Sequence, residues 1–303
     1  MLDFLPAPLK GGLSFIVILL NTIVLCVPLL LSSLLKFVIP IKGFIVVIDK
    51  CLIGIATLWI SINRLNFSFF NKIHWDVRGL ETLSRREWYL VVSNHQSWVD
   101  ILVLQNIFNR KIPMLKFFLK KELIWVPFLG LAWWALDFPF MKRYSKAFLE
   151  ANPHLASKDL ESTKAACEKF KHTPISVMNF VEGTRFTPEK HKRNASPYTH
   201  LLPPKAGGIG FVLGAMGEYL QKLINVTIVY PGHRPSFWEF LSGRVKNVMV
   251  DIEVIPISHI PIDSNLNDDN SKSHLYSWLN ELWRAKDIKI NQLMGNEMAD
   301  KPR

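Results

Sequence analysis

Cysteine is scarce: three residues in 303, at Cys26, Cys51 and Cys167, with no CxxC pair. That excludes a disulfide framework and a cysteine-held zinc site, and leaves three thiols expected to act as small buried hydrophobes. No GxSxG occurs, so the nucleophile elbow of a lipase-type hydrolase or thioesterase is missing. Neither GxGxxG nor GxxxxGK is met, and GGIG at 207–210 is too short a match for a phosphate cradle. The chain also lacks an internal repeat and a low-complexity linker. Its one obvious polar loop is SNLNDDNSKS at 264–273.

Acidic residues are outnumbered 25 to 36 by Lys and Arg, for a formal charge of +11. Such a surplus suits nucleic acid, an anionic membrane surface or a phosphorylated substrate. No nucleic-acid module is recognisable, and ten Trp and twenty Phe favour lipid. Residues 13–35 form an uncharged apolar run long enough to cross a bilayer core. The run is too long for a signal peptide and lacks a small-residue cleavage site, so it reads as an anchor. A second apolar segment, 44–62, contains Asp49 and Lys50. It is expected to lie at the interface or to close a hairpin with the first. Lys36, Lys42 and Lys50 come after the first run and only Lys10 precedes it, which orients the chain beyond residue 36 toward the cytoplasm.

From Trp75 onward the pattern is mixed. Strands are expected at 88–92, 175–181, 225–230 and 246–257, the last alternating cleanly between Val248, Val250, Ile252, Val254 and Asn247, Met249, Asp251, Glu253. Helices are expected at 101–108, 158–170, 206–223 and 273–293. Strands alternating with helices predict an α/β fold, a mixed β-sheet covered by helices, behind an N-terminal transmembrane or membrane-embedded helical anchor. Small residues at Ala206, Gly207, Gly210, Gly214 and Gly217 give the third helix a flat face suited to close helix packing.

Two strands end in reactive side chains. YLVVSNHQSWVD, at 89–100, sets His95 at a strand tip and Asp100 five residues on. Residues five apart on one helix point about 140° apart, so the pair requires His95 in the turn and Asp100 in the first helical turn. Ser97 is a natural N-cap there, and Asp100 falls at N3 of a capping box, which is also a complete structural role for it. His154 and Asp159 have the same spacing but no strand leading into them. The second strand, ISVMNFV, runs into Glu182-Gly183-Thr184-Arg185: glycine permits a tight turn and the guanidinium fork suits phosphate. If the strands are neighbours, Arg185 faces His95 across a crevice. Between them, Lys120, Lys121, Lys142 and Arg143 bracket an apolar stretch rich in Trp and Phe, suited to an acyl chain joined to a phosphate head.

NHQSWVD and EGTR, with FPFMKR ending at Arg143 and VTIVYPG ending at Gly232, resemble in order and spacing the four blocks of the glycerolipid acyltransferase family. Its best-known members make phosphatidic acid from 1-acylglycerol-3-phosphate. The resemblance covers roughly residues 75–257. Longer stretches such as NFVEGTRFTPEKH and LLPPKAGGI are similar to an acyltransferase of enterobacterial inner membranes. One departure is Val181, where many members have Pro before EGTR. The resemblance implies a membrane anchor over 1–70 and an acyltransferase domain with a C-terminal helix over 71–303. It implies His95 as general base, Asp100 as holder of the imidazole, and Lys120, Arg143, Arg185 and Lys205 around phosphate, with Glu182, Gly183 and Thr184 also among the substrate-binding residues and the first two shaping the loop. No metal and no cofactor is implied; acyl-CoA or acyl carrier protein supplies the acyl group as co-substrate, and a lysophospholipid accepts it. The location implied is a bacterial inner membrane, with the site on the cytoplasmic side. Two other readings stay open: transfer to a different lysophospholipid, and a non-enzymatic basic membrane protein binding acidic partners.

Overall fold

The computed structural model describes residues 4–117, 119–141, 167, 170, 173–261 and 269–299. Two long helices open the chain, α1 (Ala7–Val38) and α2 (Lys42–Phe70), joined by three residues into a hairpin. Both outrun the apolar runs, because helix continues through polar ends that pack on the rest of the protein. Trp238 lies against Gly11, where an added Cβ would come within 2.9 Å of its ring. Asn109 donates to Ser61 (3.0 Å), and Phe67 packs edge-on against Phe240 at 4.9 Å. Polar pairs stitch the helices together: Asn21 donates to Asn63 (2.8 Å), Asn66 to Ser14 (2.9 Å), and Trp59 to Thr22 (3.0 Å). Asp49 is not left bare, since Lys36 bridges it and Asp137, each at 2.7 Å. The opposite side is apolar and open, with Ile16, Leu20, Val24, Val27, Leu31 and Leu34 all exposed. Cys51 faces outward, while Cys26 and Cys167 are buried.

The remaining strands are β1 (His74–Arg78), β2 (Tyr89–Ser93), β3 (Leu115–Phe117), β4 (Leu119–Lys120), β5 (Phe140–Met141), β6 (Ser176–Phe180), β7 (Lys222–Val229) and β8 (Asn247–Pro256). The helices are α3 (Val99–Phe108), α4 (Leu129–Ala135), α5 (Pro188–Arg193), α6 (Ala206–Met216), α7 (Phe237–Leu241) and α8 (Asp269–Ala299). Six strands form one mixed sheet in the order β1-β8-β7-β2-β6-β3, and β4 pairs with β5 separately. β2 lies between β7 and β6, parallel to both, with Ser93 beside Val226 and Phe180. The carboxyl ends of β2 and β6 are therefore adjacent, where open α/β sheets bind ligands.

β2 is buried on both faces, as a central strand in a helix-covered sheet should be. Leu90 and Val92 pack under α6 and α8, whereas Tyr89 and Val91 pack with α3 and Phe67 of α2. Val248, Val250 and Ile252 of β8 are buried in alternation, and Val254 only partly. α6 ends at Met216 instead of running to 223, because β7 has already begun at Lys222 to pair with β2. On its small face Gly210 meets Leu275 of α8, the close helix packing expected, and the neighbouring Gly208 abuts Asn179 of β6. α8 buries Leu275, Leu279, Trp283, Ile290 and Leu293. The expected helix at 158–170 lies outside the described residues, apart from Cys167 and Phe170, as do His154 and Asp159.

Candidate active site

The backbone reaching His95 is fixed before the imidazole appears. Asn94 donates to the Ile228 carbonyl and accepts from the Ile228 amide, both at 2.9 Å, so its side chain continues the β2–β7 ladder one step beyond the strand. Ser97 accepts from the Val99 amide at 3.1 Å and donates to the Pro235 carbonyl. Trp98 is already helical (φ −59°, ψ −24°). Ser97 thus caps through the Val99 amide, and Asp100 supplies one half of the expected box by accepting from the Ser97 amide at 2.9 Å.

The same Asp100 oxygen, Oδ2, also accepts from the Gln96 amide (2.6 Å) and faces His95 Nδ1 at 2.9 Å. Oδ1 accepts from the Tyr230 hydroxyl at 2.7 Å. Both oxygens of this fully buried carboxyl group are used as acceptors. In the neutral ring the proton then sits on Nδ1 and Nε2 keeps its lone pair. The ring is fixed from another side by stacking on Phe180, with centroids 3.9 Å apart and planes 13° off parallel.

The EGTR loop is tied to this turn at two points. Glu182 accepts from the His95 amide through Oε1 and from the Leu202 amide through Oε2, both at 3.2 Å. The Phe186 amide donates to the His95 carbonyl at 2.7 Å. Burial pushes the Glu182 carboxyl up to about 8, against the pull of those amides. Gly183 takes a left-handed φ of +69°, and a Cβ there would sit 3.3 Å from Lys205 Cδ and 3.5 Å from its Nζ. The lysine therefore lies over the glycine. Lys190 of α5 braces the loop by donating to Thr184 Oγ1 (2.7 Å) and to the Arg185 carbonyl (3.0 Å). The Arg185 guanidinium lies 4.7 Å from the Trp98 ring centre, a cation–π contact with the residue that opens α3.

His95, Gly183, Thr184, Arg185 and Lys205 line one cavity of about 1770 Å³. Lys120, Trp133, Ile53, Trp59 and Gly207 line it too, so the hairpin and the start of α6 form part of its wall. Asp100 and Glu182 stand behind the lining as supports. Arg143 lies outside the described residues; β5 pairs with β4, aligning Met141 with Lys120. Among the described residues no cluster of three or more His, Cys, Asp or Glu is placed to share a cation. Sequence reasoning gives no role to Tyr230, Asn94, Lys190 or Trp98. A tyrosine or asparagine just past an apolar strand is the available signal for the first two.

A family model described as Acyltransferase matches residues 74–260, more than half of the chain. The chain belongs to the acyltransferase family. The matched region runs from β1 to the end of β8 and so includes the whole His95–Arg185 constellation. Among related proteins, the 1-acyl-sn-glycerol-3-phosphate acyltransferase gamma of Homo sapiens is 23% identical over 216 residues, covering 67% of this chain and 52% of that one. The 1-acyl-sn-glycerol-3-phosphate acyltransferase 3 of Arabidopsis thaliana is 23% identical over 234 residues, 73% of this chain and 57% of that one. The acyltransferase chain thus spans about half the length of the curated relatives it matches. The solved 1-acyl-sn-glycerophosphate (LPA) acyltransferase, PlsC, from Thermotoga maritima is 16% identical, with a TM-score of 0.45, covering 89% of this chain and 98% of that one.

Proposed function

We propose that this acyltransferase moves a fatty acyl group from a thioester, acyl-CoA or acyl carrier protein, to the 2-hydroxyl of 1-acylglycerol-3-phosphate at a membrane. The observation that carries the reading is the His95–Asp100 pair, with its free Nε2, in one cavity with Arg185 and Lys205. Nε2 takes the proton of the glycerol hydroxyl as its oxygen attacks the thioester carbonyl. The tetrahedral intermediate then collapses, the C–S bond breaks, and the imidazolium returns the proton to the departing thiolate. Asp100 holds the tautomer and offsets the positive charge on the ring. Arg185 and Lys205 hold phosphate, with Lys120 and Arg143 as further cations. The cavity exceeds the roughly 300–1,000 Å³ usual for a small-molecule site, as two lipid substrates require.

The open apolar side of α1 and α2 supports a membrane location. Both helices are long and apolar enough to cross a bilayer, at 32 and 29 residues, and most of their surface is unburied. Leaving a single Leu exposed costs about 1.5–3 kcal/mol, so a face this broad needs lipid. A hairpin returns the chain after Phe70 to the side on which α1 begins, so Lys36, Lys42 and Lys50 at its turn do not orient the site. In membranes given acyl-CoA and one lysophospholipid at a time, His95→Ala should lower transfer about 10²–10⁴-fold. Arg185→Ala should raise KM for the phosphate-bearing acceptor more than for the donor. Full transfer by His95→Ala would remove this reading.

A further inference from the structure

Resting on the reading above, we propose that Tyr230 is a positioning residue for transfer: its hydroxyl, through Asp100, sets how basic His95 is. Tyr230 lies just past β7 and comes from a part of the chain separate from both catalytic motifs. Its hydroxyl oxygen is 2.7 Å from Asp100 Oδ1, and the residue is 5% exposed. The donors on Oδ2 are two backbone amides and the imidazole itself. Backbone amides are fixed by the fold. Among the described residues, the phenol is the only side-chain donor other than His95 on this carboxylate.

A phenol donating to a carboxylate draws negative charge away from the oxygen facing Nδ1. Asp100 then stabilises the imidazolium less than an undonated carboxylate would, and His95 is held less basic. The phenol also fixes the rotation of the carboxylate, and with it the plane of the ring. Burial and the charge of Asp100 together keep Tyr230 protonated, well above the ordinary tyrosine range, so it remains a donor throughout the working pH range. Other charged groups around the turn are Glu182, behind the His95 amide, and Arg234 and Lys286, which act on Glu182. Arg185 over Trp98 and Lys205 over Gly183 stand on the cavity side. Tyr230→Phe alters none of these.

The test measures kcat, KM and the pH profile of kcat/KM for Tyr230→Phe and for the protein with 3-fluorotyrosine at position 230, beside His95→Ala. Removing the hydroxyl should lower kcat about tenfold, the scale of one hydrogen bond to a charged group, with KM for both substrates nearly unchanged. The acidic limb should move to higher pH. Fluorination strengthens the donor and should move the same limb to lower pH. Should Tyr230→Phe fail to fold, the fluorinated protein, which keeps every contact, decides alone. An unmoved limb in the folded variants overturns the role of Tyr230 and leaves the acyl-transfer reading intact. Retained transfer by His95→Ala overturns that reading instead.

Discussion

Asp100 closes a helix cap and holds an imidazole with the same oxygen, so the two uses that compete for it in the sequence coexist in one residue. The capping geometry is what aims the carboxylate: once the Ser97 amide is bound, Oδ2 can only point back over the turn that carries His95. Asp100→Asn removes the charge and, with its oxygen on the backbone amides, turns its NH₂ to the Tyr230 hydroxyl, which loses its acceptor. The expected outcome is a kcat lower by about 10²–10⁴-fold and a stability loss of about 1–3 kcal/mol for the mispaired buried groups, read by initial rates and by thermal unfolding. At Gly183, an alanine must adopt φ +69° and push against Lys205. The left-handed conformation alone costs roughly 1–2 kcal/mol. Gly183→Ala should therefore raise acceptor KM, by displacing the lysine, and lower the unfolding temperature.

At the scale of elements, the site is a meeting of two adjacent parallel strand ends and one short helix. β2 delivers His95, β6 delivers the EGTR loop, and α5 braces that loop through Lys190. Lys190 touches Thr184 and Arg185 from behind, which separates its effect from direct contact with substrate. Lys190→Ala should raise KM for the phosphate-bearing acceptor several-fold, roughly the value of one or two hydrogen bonds, while kcat changes little. Equal losses in kcat and kcat/KM would show that the loop acts only in the transition state. β2 and β6 are legible in the sequence because buried parallel strands read as apolar runs, and their expected bounds fall within a residue of those observed. β3, β4 and β5 are not legible, since two- and three-residue strands carry no period to detect. The sequence pattern makes α6 too long because GEYLQKL continues an apolar stretch whose fate is decided by the pairing of β7 with β2.

At the scale of the molecule, α8 closes the sheet with a buried amine. Lys286 donates to the Val226 carbonyl and to Thr227 Oγ1 (3.1 Å), and burial pushes it down to about 7. Folded, it loses its proton near 7; unfolded, it keeps it to the ordinary lysine value. The unfolded chain binds more protons between those values, so stability should rise with pH there. Glu182 works in the opposite sense: folded it stays protonated to about 8, and unfolded it ionises near the ordinary carboxylate value, so its contribution falls across that window. Thermal unfolding against pH should show the alkaline rise flattened in Lys286→Met and the acid-side fall flattened in Glu182→Gln. The hairpin belongs to the same whole, because α1 and α2 wall the cavity and bury Phe67 in the core. By itself the sequence determined the α/β class, the two apolar N-terminal segments, and the two peptides at strand ends, since periodicity and turn chemistry are local. Only the tertiary structure decided that the strands are neighbours, that Tyr230 reaches Asp100, and that the hairpin lies along the domain. Those depend on pairings between residues more than fifty positions apart, which local propensity does not encode.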